Sequence, residues 1–235
     1  MPASGQSLQR VIKRLIDLAG SVLLLLVFAP LIALIAMMLF LRNGTPVIYR
    51  ETRTGRHGRP FTLRKFRTLH AGTGSASSVA AEGDARILPL GQFLRRWRLD
   101  EFPQLLNVLT GDMSLVGPRP LPQAHIQSVP DAISREILAV APGLTGQASI
   151  LYLAEDAVLA GRPDAERCYL AAILPAKLEA EREYLRHWSL YSDLRILFLT
   201  LLWVWSPRAR KQSYERVAAL VQDAPGGTVD KPPRE

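Results

Sequence analysis

The sequence predicts a mostly helical α/β chain with a small β element near residues 45–69 and a membrane-embedded N-terminal helix. Three observations carry this. A long apolar run free of charge lies between Asp17 and Arg42. Residues 45–69 alternate apolar and polar side chains, the period of a half-buried strand. Stretches of helical period occupy most of the chain beyond residue 90. Of the 235 residues, 48% are hydrophobic, enough to bury a sizeable core. The net charge of +8 draws anions, whether nucleic acid, an anionic membrane face or phosphorylated ligands, and composition does not choose among them. Cys168 is the single cysteine, which excludes an intrachain disulfide and a thiolate metal cluster. It reads as a packing residue.

The apolar run, LAGSVLLLLVFAPLIALIAMMLFL, holds about 24 residues, or ~36 Å of helix, against a hydrocarbon core of ~30 Å. It is long for a signal peptide and no small-residue cleavage site comes after it, so it is expected to be retained. Pro30 sits at its middle, where a missing amide donor and a ring clash predict a bend. Two shapes are compatible with this: a bent spanning helix, or a re-entrant one that enters and leaves by the same face. Length does not decide between them. Charge favours the second, because Arg10, Lys13 and Arg14 precede the run while Arg42, Arg50, Arg53 and Arg56 come after it. Basic flanks mark the cytoplasmic side.

The strands are expected in PVIYRETR and FTLRKFRTL, joined through the turn GRHGRP. AGTGSASSVAAEGDA then reads as a mobile loop bordering a site. Residues 90–109 are expected to be helical, GDMSLVGPRPLP rigid and irregular, PGLTG a turn, and 154–187 a charged helical stretch. ILFLTLLWVW, residues 196–205, is too short to span a bilayer. With Trp203 and Trp205 above Arg208, Arg210 and Lys211 it suits an amphipathic interfacial helix, with a buried core helix as the equal alternative. The expected organisation is a membrane segment over 1–43, a catalytic domain over 44–206, and a basic then disordered tail over 207–235.

Four short segments stand out chemically. In KFRT, Lys65 and Arg67 share one strand face. In RRWRLDEFPQLLN, Asp100 is an N-cap candidate, with Pro103 tolerated in the first turn. A helix start there would keep Asp100 and Glu101 ionised and help to hold phosphate. In LVGPRP, Gly117 and Pro118 fix the approach, and Pro120 extends the backbone at Arg119, whose guanidinium can then grip phosphate. In PGLTG, the glycines around Thr145, ending at Gly146, allow close approach of a ligand to the backbone. Adjacent carboxylates among arginines suit phosphoryl chemistry, since carboxylates bind Mg2+ and can attack phosphorus. In an arbitrary chain the same Asp–Glu pair is more often a helix cap bridged to Arg96 or Arg98.

KFRT, LDEFPQLLNVLTGDMSLVGPRP and PGLTG stand in the order found in the bacterial sugar transferases, the monotopic phosphoglycosyl transferases. The chain resembles that family over roughly residues 8–205, in its small form. The resemblance implies a re-entrant helix broken at Pro30, a catalytic face on the cytoplasmic side of the bacterial inner membrane, and a ping-pong reaction requiring Mg2+. The donor would be a UDP-sugar, the acceptor polyprenyl phosphate, and the released product UMP. By the same resemblance Asp100 is the nucleophile and a ligand of Mg2+, and Glu101 is its partner in the dyad. Arg95 and Arg119 bind phosphate, and Lys65 lines the site. The sequence departs from the family pattern at Ala29, where serine commonly precedes the proline. Ser21 or a water is then the candidate partner for the carbonyls that Pro30 frees. QASILYLAEDAVLAG after PGLTG resembles another branch of the family. A homodimer is compatible with this reading. A nucleic-acid-binding role lacks both a recognition helix and a basic surface interleaved with aromatics. A membrane scaffold without activity is the remaining alternative.

Overall fold

A computed structural model describes residues 4–70, 72, 83–204 and 206–223. Helix α1 spans Ser4–Asn43 and stays helical through Pro30. The expected bend therefore does not interrupt the helix. Ser21 is buried, and its hydroxyl finds no partner among the described residues, so it does not satisfy carbonyls freed by the proline. Leu23, Leu26, Val27, Met37, Phe40 and Leu41 are exposed along α1, an apolar surface suited to lipid.

A hairpin comes next, β1 (Ile48–Thr54) paired antiparallel with β2 (Pro60–Phe66). Its register sets Tyr49 opposite Lys65 on one face and Ile48 opposite Phe66 on the other. Helix α2 (Pro89–Arg96) leads into a 3₁₀ turn over Leu99–Gln104 and then α3 (Leu105–Thr110). Asn107 is wholly buried and ties α3 to the hairpin: its amide donates to the Thr62 carbonyl at 2.7 Å and accepts from the Arg64 amide at 3.1 Å. The loop read at 71–85 lies mostly outside the described residues.

A second sheet pairs β3 (Ser114–Val116) in parallel with β4 (Gly143–Thr145), connected through α4 (Gln123–Gln127) and α5 (Asp131–Leu138). The sequence pattern predicts irregular chain and a turn at these strands. Strands of three residues, buried throughout or nearly so, offer no alternation to detect. Short helices α6 (Gln147–Leu151), α7 (Glu155–Val158) and α8 (Ala165–Cys168) succeed β4. A π-helical turn over Tyr169–Ile173 joins α8 to α9 (Leu174–Arg186). Helices α10 (Leu190–Val204) and α11 (Pro207–Gln222) complete the fold.

Cys168 packs into a core with Leu159, Ile173, Val217 and Val221. The last two lie on α11, so residues 207–222 are a packed helix rather than a tail. Ser206 caps it by accepting from the Ala209 amide, and Pro207 occupies the first turn. Residues 224–235 lie outside the described residues, as does Trp205. Helix α10 turns Ile196 and Trp203 to a core and leaves Tyr191, Phe198, Leu201 and Leu202 exposed.

Both ends of α1 are bound to this one domain. Near its start, Lys13 bonds Asp193 at 2.6 Å and the Val116 carbonyl at 2.9 Å. Arg14 caps the end of α3 through the Val108 and Leu109 carbonyls. Asp17 accepts from the Ser114 hydroxyl and the Leu115 amide. At the far end, Ile35 and Leu39 pack with Phe66 and Leu94, and the Arg67 guanidinium donates to the Asn43 and Gly44 carbonyls. In between, Phe28 stacks on Phe102 with ring centroids 5.0 Å apart.

Candidate active site

Lys65, Arg95, Asp100, Glu101 and Arg119 line one cavity of about 540 Å³ between the hairpin, the 3₁₀ turn and the loop after β3. The turn positions the acids. Arg98 adopts a left-handed backbone with φ 55°, ending α2 and opening the turn two residues before Asp100. Asp100 is thus not the helix N-cap expected from the sequence. It lies inside the turn and makes no capping bond. Consecutive turn residues then present both carboxyls to the cavity, and both are largely buried, each 8% exposed.

Their environments differ sharply. Glu101 receives Arg119 at 2.7 Å and Arg98 at 3.2 Å. Burial opposes its charge, but the two guanidiniums outweigh burial and hold the carboxyl well below the ordinary range. The Asp100 carboxylate accepts no hydrogen bond from any described residue. Burial, and then the neighbouring Glu101 charge, push its pKa up to about 6, against the pull of Lys65, Arg95 and Arg98. Lys65 is pushed down to about 8 by burial and by the charges of Arg53 and Arg119. One acid is locked by cations. The other, without a hydrogen bond from any described residue, lies in a cationic cavity, the state of a group kept for a ligand or a reaction.

Gly117 and Pro118 act one step behind this surface. The Gly117 amide donates to the Thr145 carbonyl, and the Gly143 amide to the Pro118 carbonyl. A Cβ on Gly143 or Gly146 would stand 2.2 or 2.3 Å from Gly117 backbone atoms. These glycines therefore serve backbone-to-backbone contact rather than contact with a ligand. Thr145 is buried and shares a 2.8 Å hydrogen bond with Thr200. Neither Thr145 nor Gly146 reaches the cavity. What the two segments do is fix the strand that delivers Arg119. Arg67 borders the cavity, but its guanidinium caps the end of α1.

The cavity also takes in residues that sequence reasoning does not single out. Tyr49, Glu51 and Arg53 alternate along β1 on the Lys65 face, a period-two signal already present in IYRETR. The far wall is made by Glu155, Tyr169 and Lys177, with Lys177 bonding Glu155 at 2.7 Å and lying 5.3 Å from the Tyr169 ring centre. Nothing in the sequence spacing pairs these residues.

Among the described residues no group of three or more His, Cys, Asp or Glu side chains forms a metal cage. Mg2+ does not need one, since it binds through one or two carboxylates together with water and substrate phosphate. A largely buried Asp100 carboxylate that lines a cavity and accepts no hydrogen bond from a described residue fits such an ion.

The family model for the bacterial sugar transferase matches residues 8–207. A UDP-glucose:undecaprenyl-phosphate glucose-1-phosphate transferase of Escherichia coli (strain K12) is 37% identical over 204 residues, covering 85% of this chain and 41% of the relative. An enzyme of the same name from Caulobacter vibrioides is 38% identical, with 80% and 68% covered. The undecaprenyl-phosphate galactose phosphotransferase of Salmonella typhimurium is 31% identical, with 81% and 40% covered. The chain thus spans less than half the length of the first and third of these relatives.

Proposed function

The chain belongs to the bacterial sugar transferase family, and we propose that it moves a phosphosugar from a UDP-sugar to undecaprenyl phosphate, releasing UMP. The observation that carries the proposal is the buried Asp100 carboxylate, free of hydrogen bonds to described residues, among Lys65, Arg95 and the Glu101–Arg119 pair. Support for this donor and acceptor comes from the relatives, whose names give UDP-glucose or undecaprenyl phosphate as substrates.

In the reaction an Asp100 carboxylate oxygen attacks the β-phosphorus of the donor. The bond from that phosphorus to the bridging oxygen breaks, and UMP leaves with the electron pair. The aspartyl phosphosugar that remains is attacked at the same phosphorus by a phosphate oxygen of the lipid. Asp100 departs as carboxylate, and the product is a polyprenyl diphosphate sugar. Arg119 and Arg95 hold diphosphate oxygens, and Lys65 adds charge at closest approach. Glu101 orients Arg119 and does not attack, because two guanidiniums occupy it. Asp100 would hold Mg2+ when it binds, and the ion would supply positive charge against the diphosphate.

The same domain binds both ends of α1. That supports a re-entrant helix, since a spanning helix would carry its ends to opposite faces of the bilayer. Basic residues on both flanks favour the cytoplasmic side for those ends and for the catalytic cavity. The exposed apolar residues of α10 then rest at the interface.

The test is to incubate the protein in nanodiscs with Mg2+, undecaprenyl phosphate and a panel of UDP-sugars, and to measure the nucleotide released. UMP from one donor is expected. Release of UDP would mean ordinary glycosyl transfer and would overturn the proposal.

A further inference from the structure

The proposed reaction occupies one part of the polar cavity, where Lys65, Arg95 and Arg119 surround the acidic pair. The far wall has a different chemistry. There Glu155 on α7, Tyr169 on the π-helical turn and Lys177 on α9 meet. The Lys177 ammonium donates to both Glu155 carboxyl oxygens, at 2.8 and 2.7 Å, and its nitrogen lies 5.3 Å from the Tyr169 ring centre. The side chains of Lys177 and Glu155 are only 7% and 14% exposed. The widened turn helps to build the wall. In a regular helix of 3.6 residues per turn, positions eight apart point about 80° away from each other, yet Tyr169 and Lys177 border one cavity.

A buried ion pair is seldom a net gain in stability, because desolvation of both charges offsets their attraction. This pair also keeps bonding capacity. An ammonium has three donors and a carboxylate about four lone-pair sites, and the bonds between them use two of each. One donor and two acceptor sites remain without a hydrogen bond to any described residue, beside a cavity. Two neighbouring sugar hydroxyls match that remainder, since each hydroxyl both donates and accepts. A phosphate does not, because the Glu155 carboxylate repels it and already neutralises Lys177. Placement selects the sugar of a UDP-sugar over its base. Glu155 lies close enough to raise the pKa of Arg119, the residue that bonds Glu101. Asp156, the next residue of α7, stands 3.8 Å from Arg95. The wall is thus one guanidinium away from the acidic pair. In the donor, the sugar ring is joined through one oxygen to the phosphorus under attack, whereas a second phosphate and a ribose separate the base from it.

We propose that Glu155 and Lys177 are specificity-determining residues that read the sugar of the donor, and that they select a neutral hexose. Adjacent ring hydroxyls donate to the Glu155 carboxylate and accept from the Lys177 ammonium, which Tyr169 positions through its ring face. A uronic sugar is rejected, because its carboxylate meets Glu155. The inference rests on a UDP-sugar being the donor, and it goes further in assigning the residues that choose among such donors.

The test compares donors on the full chain in nanodiscs. Wild type should use its best neutral UDP-hexose at least about tenfold better in kcat/KM than the matching UDP-uronic acid. At least one of the 2-, 3-, 4- and 6-deoxy forms of that hexose donor should lose about tenfold, because the missing hydroxyl leaves a buried polar partner unpaired. Glu155→Gln/Lys177→Met removes both charges together, so neither is stranded. In that variant the deoxy and parent donors should come within about threefold of each other, and the uronic-to-hexose ratio should rise about tenfold. Affinity for UDP, which lacks the sugar, should stay within about twofold of wild type. An equal loss with every donor would make the pair a purely structural one, and a tenfold loss of UDP affinity would put the base at this wall. Either result overturns the proposal. If a thermal melt shows the variant unfolded, the wild-type deoxy series decides, and indifference to the removal of each hydroxyl overturns it. A readout independent of turnover is titration of Asp100→Asn with UDP and the same UDP-sugars. Equal affinity for all of them would overturn the sugar site. Affinity that depends on the sugar, with no UMP released by wild type from any donor, would refute the reaction and leave the sugar site standing.

Discussion

Glu181→Gln should stabilise the protein, and by an amount that grows with pH. Glu181, on α9, is 3% exposed. One carboxyl oxygen accepts from the Ala148 amide at 3.1 Å, and the other has no partner among the described residues. Burial pushes its pKa from 4.5 to about 8, against the pull of the Ala148 amide, Lys177 and Arg119. Between those values the folded chain binds a proton that the unfolded chain has released, so stability falls as pH rises. At ~1.36 kcal/mol per unit, the group costs about 1 kcal/mol at pH 5 and about 4 kcal/mol at pH 8. Glutamine keeps the acceptor for Ala148 and cannot ionise. The variant and wild type should melt alike near pH 4.5. At pH 8 the variant should melt higher by roughly 8–16 °C, at ~2–4 °C per kcal/mol for a chain of this size. The assay is thermal unfolding in one detergent from pH 4.5 to 8.5. Parallel curves for the two proteins would show that Glu181 does not take up a proton on folding.

Other outcomes rest on the same geometry. Arg119→Ala should leave a folded protein with kcat/KM down about 100-fold or more, since a positioned donor on charged oxygen is worth ~3 kcal/mol. Arg119→Lys should restore little, because an ammonium cannot reproduce the paired bonds to Glu101 and phosphate, and full recovery with lysine would contradict that role. Asn107→Leu strands the Thr62 carbonyl and the Arg64 amide and should cost about 2–4 kcal/mol, read as a lower melting temperature, whereas unchanged melting would show the bonds to be dispensable. In the proposed reaction Asp100 attacks as carboxylate and Lys65 works as a cation. With their pKa values near 6 and 8, kcat/KM should rise through the first, fall through the second and peak near pH 7. A profile flat from pH 5 to 7 would contradict the Asp100 environment.

Features carried by local pattern are legible in the sequence. The charge-free run forms α1, and the alternation over 45–69 forms the hairpin with Lys65 on its cavity face. The Asp100–Glu101 pair and Arg119 are legible because a long motif surrounds them, and the structure brings them to one cavity. Features that escape the sequence depend on contacts distant along the chain. No local rule gives the left-handed backbone at Arg98, which displaces Asp100 from the expected cap. The glycines of PGLTG suggest a ligand because their partner, Gly117, lies far away in the chain. The Lys177–Glu155 wall joins two helices with no shared period. Helix α11 reads as part of a tail because its basic start hides the apolar stripe that buries Val217 and Val221.

In the proposed reaction Asp100 carries the phosphosugar covalently. The most direct measurement is the intact mass of the protein after incubation with Mg2+ and the productive UDP-sugar in the absence of lipid acceptor. The expected result is a stoichiometric gain of one phosphosugar, mapped to Asp100, lost on adding undecaprenyl phosphate and absent from Asp100→Asn. UMP formation that requires acceptor, with no adduct at any time, would contradict it, as would an adduct that survives in Asp100→Asn.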